Sequence, residues 1–181
     1  EQRGIRVEYT RIGDIYNSPY EKAEIGNRSA ADLFLSIHRN AMPVPGTGSG
    51  TMSLIFGRGG DAETFARNIN KELAKTGWKD LGISERPNLV VLRDTALPAV
   101  LVEVGFIDNE NDNDFFDANM RQTADAIADG IVRTFAEQEK QTSDVEEPGF
   151  YMVQTGIYRV RTNAEREVER LKAQGFPAFM T

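Results

Sequence analysis

The chain has 181 residues, 40% of them apolar, with 21 Lys and Arg against 28 Asp and Glu, one His and no Cys. This is apolar mass for one cored domain and a small appendage, and a net charge of −7 without a Lys/Arg stripe argues against nucleic acid, whose binding rests on phosphate neutralisation. Without Cys there are no disulfides, no thiol catalysis and no Cys-ligated zinc, and no apolar run reaches the roughly 20 residues of a membrane-spanning helix.

Over residues 1–138, short runs rich in β-branched residues alternate with helix-period segments, which predicts an α/β fold: a mostly parallel open sheet with helices on both faces. Strands are predicted at residues 5–9, 33–37, 51–56, 88–92 and 99–104. Asp61 is placed to cap a helix carrying Phe65, Ile69 and Leu73 on one face, which Gly77 ends. A last helix over 120–137 presents Ile127, Ile131 and Phe135 as a stripe. Residues 139–149 are acidic, nearly free of apolar side chains and end in Pro148-Gly149, as a linker would. In the tail, residues 150–158 read as a strand, Thr162-Asn-Ala-Glu165 as a capping box opening a helix with Val168 and Leu171, and residues 175–180 as the start of another strand. Charge follows the same division: net −5 over 1–136, −4 over 137–149 and +2 over 150–181.

In a parallel α/β sheet, ligands gather at the carboxyl ends of the strands, and two polar residues interrupt apolar runs there. Glu103 breaks Pro98-Ala-Val-Leu-Val-Glu103-Val-Gly-Phe-Ile107, otherwise a strand buried on both faces. A buried carboxylate needs a partner or a task. Two readings stand: a structural Glu, paired with an Arg such as Arg93 or facing solvent, and a general base or metal ligand with a raised pKa. The chain's one histidine, His38, closes the run Ala31-Asp-Leu-Phe-Leu-Ser-Ile-His38-Arg-Asn40-Ala41. It is either a packed strand-end imidazole or, beside a carboxylate, part of a zinc constellation. Gly46-Thr-Gly-Ser-Gly50 lacks the Lys of a phosphate loop and reads as a flexible loop. The Ser36 and Ser49 hydroxyls lack a nucleophile elbow, and the run 108–114 reads as a helix entry rather than a calcium loop.

The blocks ADLFLSIHRNA (31–41) and PAVLVEVGFIDN (98–109) resemble the two signature blocks of the zinc-dependent N-acetylmuramoyl-L-alanine amidases of bacterial cell walls, with 9–14 and 89–95 also fitting in order and spacing. The resemblance covers about 1–138 and implies a zinc ion, a water, and cleavage of the amide between the muramic acid lactyl group and L-alanine. It matches His38 to a zinc ligand, Glu103 to the catalytic glutamate, and suggests Asn40 and Arg93 as substrate-binding residues. The family's other ligands, a His in a Gly-His-Gly loop and a Glu in the following helix, have no counterpart among these residues. The expectation is therefore a truncated amidase domain, by itself inactive; the alternative is a non-catalytic wall-binding module with a degenerate amidase fold. A cytoplasmic α/β hydrolase of other chemistry is a third reading.

The tail, 150–181, resembles the first half of a SPOR domain, a peptidoglycan-binding module, and Tyr151, Gln154 and Tyr158 are its expected glycan contacts, aromatic faces and an amide being suited to sugars. Together the resemblances imply an exported protein of the cell wall or extracellular space, with zinc as cofactor and the glycan strands and stem peptides of peptidoglycan as partner, acting in sporulation or cell separation.

Overall fold

A computed structural model describes residues 3–143 and 161–173. The chain divides into two compact units, 1–143 and 144–181. The first unit carries α1 (Pro19–Arg28), β1 (Phe34–Asn40), β2 (Thr51–Ile55), α2 (Gly60–Lys75), β3 (Asp80–Glu85), α3 (Val90–Arg93), β4 (Ala99–Phe106) and α4 (Glu110–Ser143). In the second, the described residues form α5 (Arg161–Ala173).

The four strands form one sheet in the order β1-β4-β2-β3. The β1/β4 and β2/β3 ladders are parallel and β2/β4 is antiparallel, so the expected mostly parallel α/β sheet stands with one reversed ladder at its centre. Central β4 separates two apolar layers. Val100, Val102 and Val104 point into the larger core with Phe65, Ala66, Ile69 and Leu73 of α2 and Ala126 and Ile127 of α4. Fully burying each such side chain contributes about 1.5–3 kcal/mol, which makes this layer the main source of stability. Ala99 and Leu101 point the other way, onto Phe34, Leu54, Val91 and Leu92.

Several elements differ from expectation. Residues 5–9 form no strand, because an alternating pattern requires a ladder partner and this segment has none among the described residues. Residues 88–92 turn into α3 instead: Leu92 N and Arg93 N both donate to Leu89 O, and Val91 and Leu92 fill the smaller core. β3, outside the predicted strands, pairs with β2 on the side away from β4, and its alternation is broken by Gly82 at φ 83°. α1 lies outside the predicted elements, with Ser18 and Glu21 exchanging the two bonds of a capping box and Pro19 at the first helical position.

Gly59, not Asp61, caps α2, and Glu63 reaches back to accept from Gly59 N at 2.7 Å. Gly77, at φ 103°, follows the helix end as expected. α4 begins ten residues early because Asn109 caps it, accepting from Asp112 N at 3.2 Å, which settles the run 108–114 as a helix entry. The expected start near 120 marks a kink instead, where Asn119 leaves helical geometry and its Nδ2 donates to Phe115 O. α4 also runs on to Ser143, so the first residues of the expected linker are helical. Thr162 lies inside α5 rather than capping it, and Glu165 pairs with Arg161 at 2.8 Å.

α2 and α4 meet at Gly130, where an added Cβ would lie 2.7 Å from Ile69 Cα and 2.9 Å from Ile69 N. Gly130→Ala gains up to about 1 kcal/mol of helix propensity but must push one backbone off another, and such overpacking costs about 1–3 kcal/mol. The clash is with backbone, which cannot rotate away, so the variant is expected to unfold at lower urea with an unchanged slope. A midpoint at or above wild type would show that the helices separate freely.

Candidate active site

Strand register builds the site. On β4 the row Ala99, Leu101, Glu103 shares one face; on β1 the row is Phe34, Ser36, His38; on β2 it is Leu54, Met52. His38 pairs directly with Glu103 from one side and Met52 pairs with it from the other. The face is thus apolar where α1 and α3 cover it and turns polar at His38 and Glu103, towards the carboxyl ends of the parallel pair β1 and β4. The sequence placed this couple correctly at the strand ends.

Glu103 is half-buried, its Oε2 is sealed from solvent, and that oxygen has no hydrogen-bond partner among the described residues. Desolvation therefore pushes its carboxyl above the usual carboxylate range. Arg93, the structural partner weighed from sequence, does not reach it: its guanidinium binds Asp94 in two contacts at 2.7 and 3.1 Å and Tyr20 Oη at 3.4 Å. The salt-bridge reading of Glu103 is thereby overturned. Arg93 lines a groove of about 540 Å³ with Phe56, Arg58 and Ala99, at the opposite end of β4 from Glu103.

His38 is exposed, and its Nε2 lies 3.0 Å from Ser36 Oγ. Partial desolvation of the ring, then repulsion from Lys22, holds its pKa below the ordinary imidazole value, so the neutral, ligand-competent form prevails near neutral pH. No carboxylate bonds the ring among the described residues, so Ser36 and His38 do not complete a hydrolytic triad. Asn40 continues the His38 row; its Oδ1 accepts from Ala41 N at 2.8 Å and its Nδ2 lies 3.6 Å from Met52 Sδ. Ser36, weighed from sequence only as a nucleophile, contacts His38 because residues two apart on β1 share a face, while Met52 as the neighbour of Glu103 escaped the sequence reading because it follows from register. The loop 46–50, expected to be flexible, is pinned: Asn109 Nδ2 donates to Gly48 O at 2.7 Å, and Ser49 Oγ donates to Asp112 at 2.7 Å.

A catalytic zinc takes three protein ligands and an open position. Among the described residues, no three His, Asp or Glu side chains converge on one point. The orphaned Glu103 oxygen and the His38 ring offer two donor groups, so these residues alone do not fit a complete zinc site. The expected glycan contacts Tyr151, Gln154 and Tyr158 lie outside the described residues.

Comparison with known proteins places both units. A family model described as N-acetylmuramoyl-L-alanine amidase matches residues 1–133, and one described as SPOR domain matches residues 147–181. The chain is 31% identical to the N-acetylmuramoyl-L-alanine amidase CwlM of Bacillus licheniformis, over 99% of this chain and 68% of that protein. It is also 31% identical to the sporulation-specific N-acetylmuramoyl-L-alanine amidase of Bacillus subtilis, with the same coverage. Among solved structures, the catalytic domain of the amidase CwlV of Bacillus (Paenibacillus) polymyxa superposes with a TM-score of 0.63 at 31% identity, over 70% of each chain.

Proposed function

This chain belongs to the N-acetylmuramoyl-L-alanine amidase family, and from that premise we propose that it is a peptidoglycan hydrolase which cleaves the amide between N-acetylmuramic acid and the L-alanine of the stem peptide. The observation that carries the reading is the buried, unpartnered Glu103 oxygen set in register with His38. A carboxylate desolvated in this way holds a proton more readily than a surface one, which suits a group that takes a proton from an attacking water and returns it to the departing alanine nitrogen. Glu103 is assigned that role. His38 is assigned as a zinc ligand, needing further donors besides the two groups described. Asn40, oriented by its bond to Ala41 N, and Arg93, in its separate groove, are assigned to substrate.

We further read residues 1–138 as the amidase domain, 139–149 as the connection and 150–181 as the glycan-binding part, with Tyr151, Gln154 and Tyr158 as its contacts. The SPOR match and the family point to peptidoglycan as the partner and to a place in the cell wall or outside the cell. No described helix is long and apolar enough to cross a membrane. A role in sporulation rests on the printed name of the B. subtilis relative.

The incomplete donor set favours a second reading, a wall-binding module without activity. Digestion of purified peptidoglycan by the full-length protein with zinc supplied separates the two. An amidase releases new N-terminal alanine amines and no new reducing sugar ends. Binding to the sacculi without release of amines would leave only the binding module.

A further inference from the structure

Asp112 has no part in the chemistry above, yet its carboxylate is buried, with the residue 5% exposed. Its Oδ2 accepts from Phe106 N at 2.8 Å and from Gly50 N at 3.0 Å, and its Oδ1 accepts from Ser49 Oγ at 2.7 Å. Phe106 is the last residue of β4, which carries Glu103, and Ser49 and Gly50 immediately precede β2. Gly50 precedes Thr51, the first residue of β2, so Met52 and Glu103 face each other close to that anchor.

Phe106 ends β4 immediately after an irregularity. His38 pairs with Glu103, but Asn40 pairs with Phe106, so β4 spends one residue more than β1 over this stretch. Gly105 takes up the excess at φ 72°, where an added Cβ would lie 2.8 Å from the buried Trp78 ring and 3.2 Å from Asp112 Oδ2. A bulge of this kind leaves ladder groups without strand partners and re-aims the side chains next to it. Here the freed Phe106 N is met by Asp112.

We propose that Asp112 is a positioning residue for Glu103: one buried carboxylate from the first turn of α4 ties the β4 bulge to the start of β2 and thereby fixes where the Glu103 carboxylate stands relative to His38. The inference rests on the amidase reading, in which Glu103 handles the proton. Val102 and Val104 already hold the register through the larger core, so loss of Asp112 shifts Glu103 locally and does not flip the strand. A displacement of about 1 Å in a reacting group can cost on the order of 100-fold in rate.

The test uses the full-length protein with zinc supplied, assayed by amine release from purified peptidoglycan beside Glu103→Gln. Asp112→Ala is expected to lower kcat at least tenfold with KM little changed, and to speed hydrogen exchange at the Phe106 and Gly50 amides. Asp112→Asn can still accept from both amides while its Nδ2 donates to Ser49 Oγ, and should restore most of kcat. Where Asp112→Ala does not fold, Asp112→Glu decides, since it keeps the charge and moves the acceptor by one methylene: reduced kcat supports the proposal. Full kcat in the folded Asp112→Ala or Asp112→Glu variant, or an Asp112→Asn as impaired as Asp112→Ala, overturns it while leaving the amidase reading intact. A wild-type protein that releases no amines overturns the amidase reading itself, and the proposal falls with it.

Discussion

Glu103→Gln should reduce turnover of peptidoglycan by about 10² or more, because removing a positioned acid/base typically costs 10²–10⁴. The same substitution is expected to stabilise the fold at neutral pH. Burial holds the Glu103 carboxyl above its ordinary range in the folded protein, so the folded state binds this proton more tightly than the unfolded chain does. That contribution favours folding at pH below the ordinary carboxylate range and is lost as pH rises through the raised value. Ionising this group in the native state puts a desolvated charge on an oxygen with no hydrogen-bond partner among the described residues. Gln is uncharged, so the variant should melt higher than wild type at pH 7, with the difference shrinking as pH falls towards 4. Turnover that depends on the ionised base should rise with pH through the same raised value. Thermal melts and amine-release rates measured across this range check both halves. A variant less stable at pH 7, with activity near wild type, would return Glu103 to a structural role.

The sequence carried the site further than it carried the sheet. A carboxylate inside Ala-Val-Leu-Val and a histidine at the end of Leu-Phe-Leu-Ser-Ile are local anomalies, and local anomalies are legible because each residue type has a strong burial preference. Their direct pairing depends on β1 and β4 being neighbours in register, which no local pattern states. Residues 5–9 and 88–92 misled for the same reason: β-branched runs report a fit to a half-buried surface, and only the rest of the chain decides whether a ladder or a helical turn supplies it. β3 was hidden by Gly82, and α1 was signposted by Ser18, Pro19 and Glu21. Arg93 was plausible as a partner of Glu103 by charge alone, but Asp94 is adjacent in sequence and satisfies it at the far end of β4. Asp112 looked like one acid in a polar run. Only the fold reveals that it collects donors from Phe106, Gly50 and Ser49.

His38→Ala is expected to abolish amine release and to lower zinc retained per molecule, while the melting temperature of the metal-free protein changes little. The two outcomes separate because His38 is exposed on β1, with Ser36 Oγ as its one hydrogen-bond partner among the described residues, and exposed substitutions of this kind usually stay within about 0.5 kcal/mol. A packed strand-end imidazole would behave in the opposite way, with stability falling and zinc unchanged. Metal content measured by elemental analysis after dialysis gives a readout independent of turnover. Ser36→Ala supplies a graded companion: removing the hydroxyl beside Nε2 leaves the imidazole in place but less oriented, and loss of such supporting contacts typically weakens metal affinity by 10- to 100-fold. Because the His38 pKa lies below the ordinary imidazole value, protons compete for the ring only at lower pH, so zinc retention by the full-length wild type should hold at neutral pH and decline once the pH falls below the ordinary imidazole range. Unchanged zinc in His38→Ala would remove this residue from the ligand set and leave Glu103 as the one group of the pair with a chemical task.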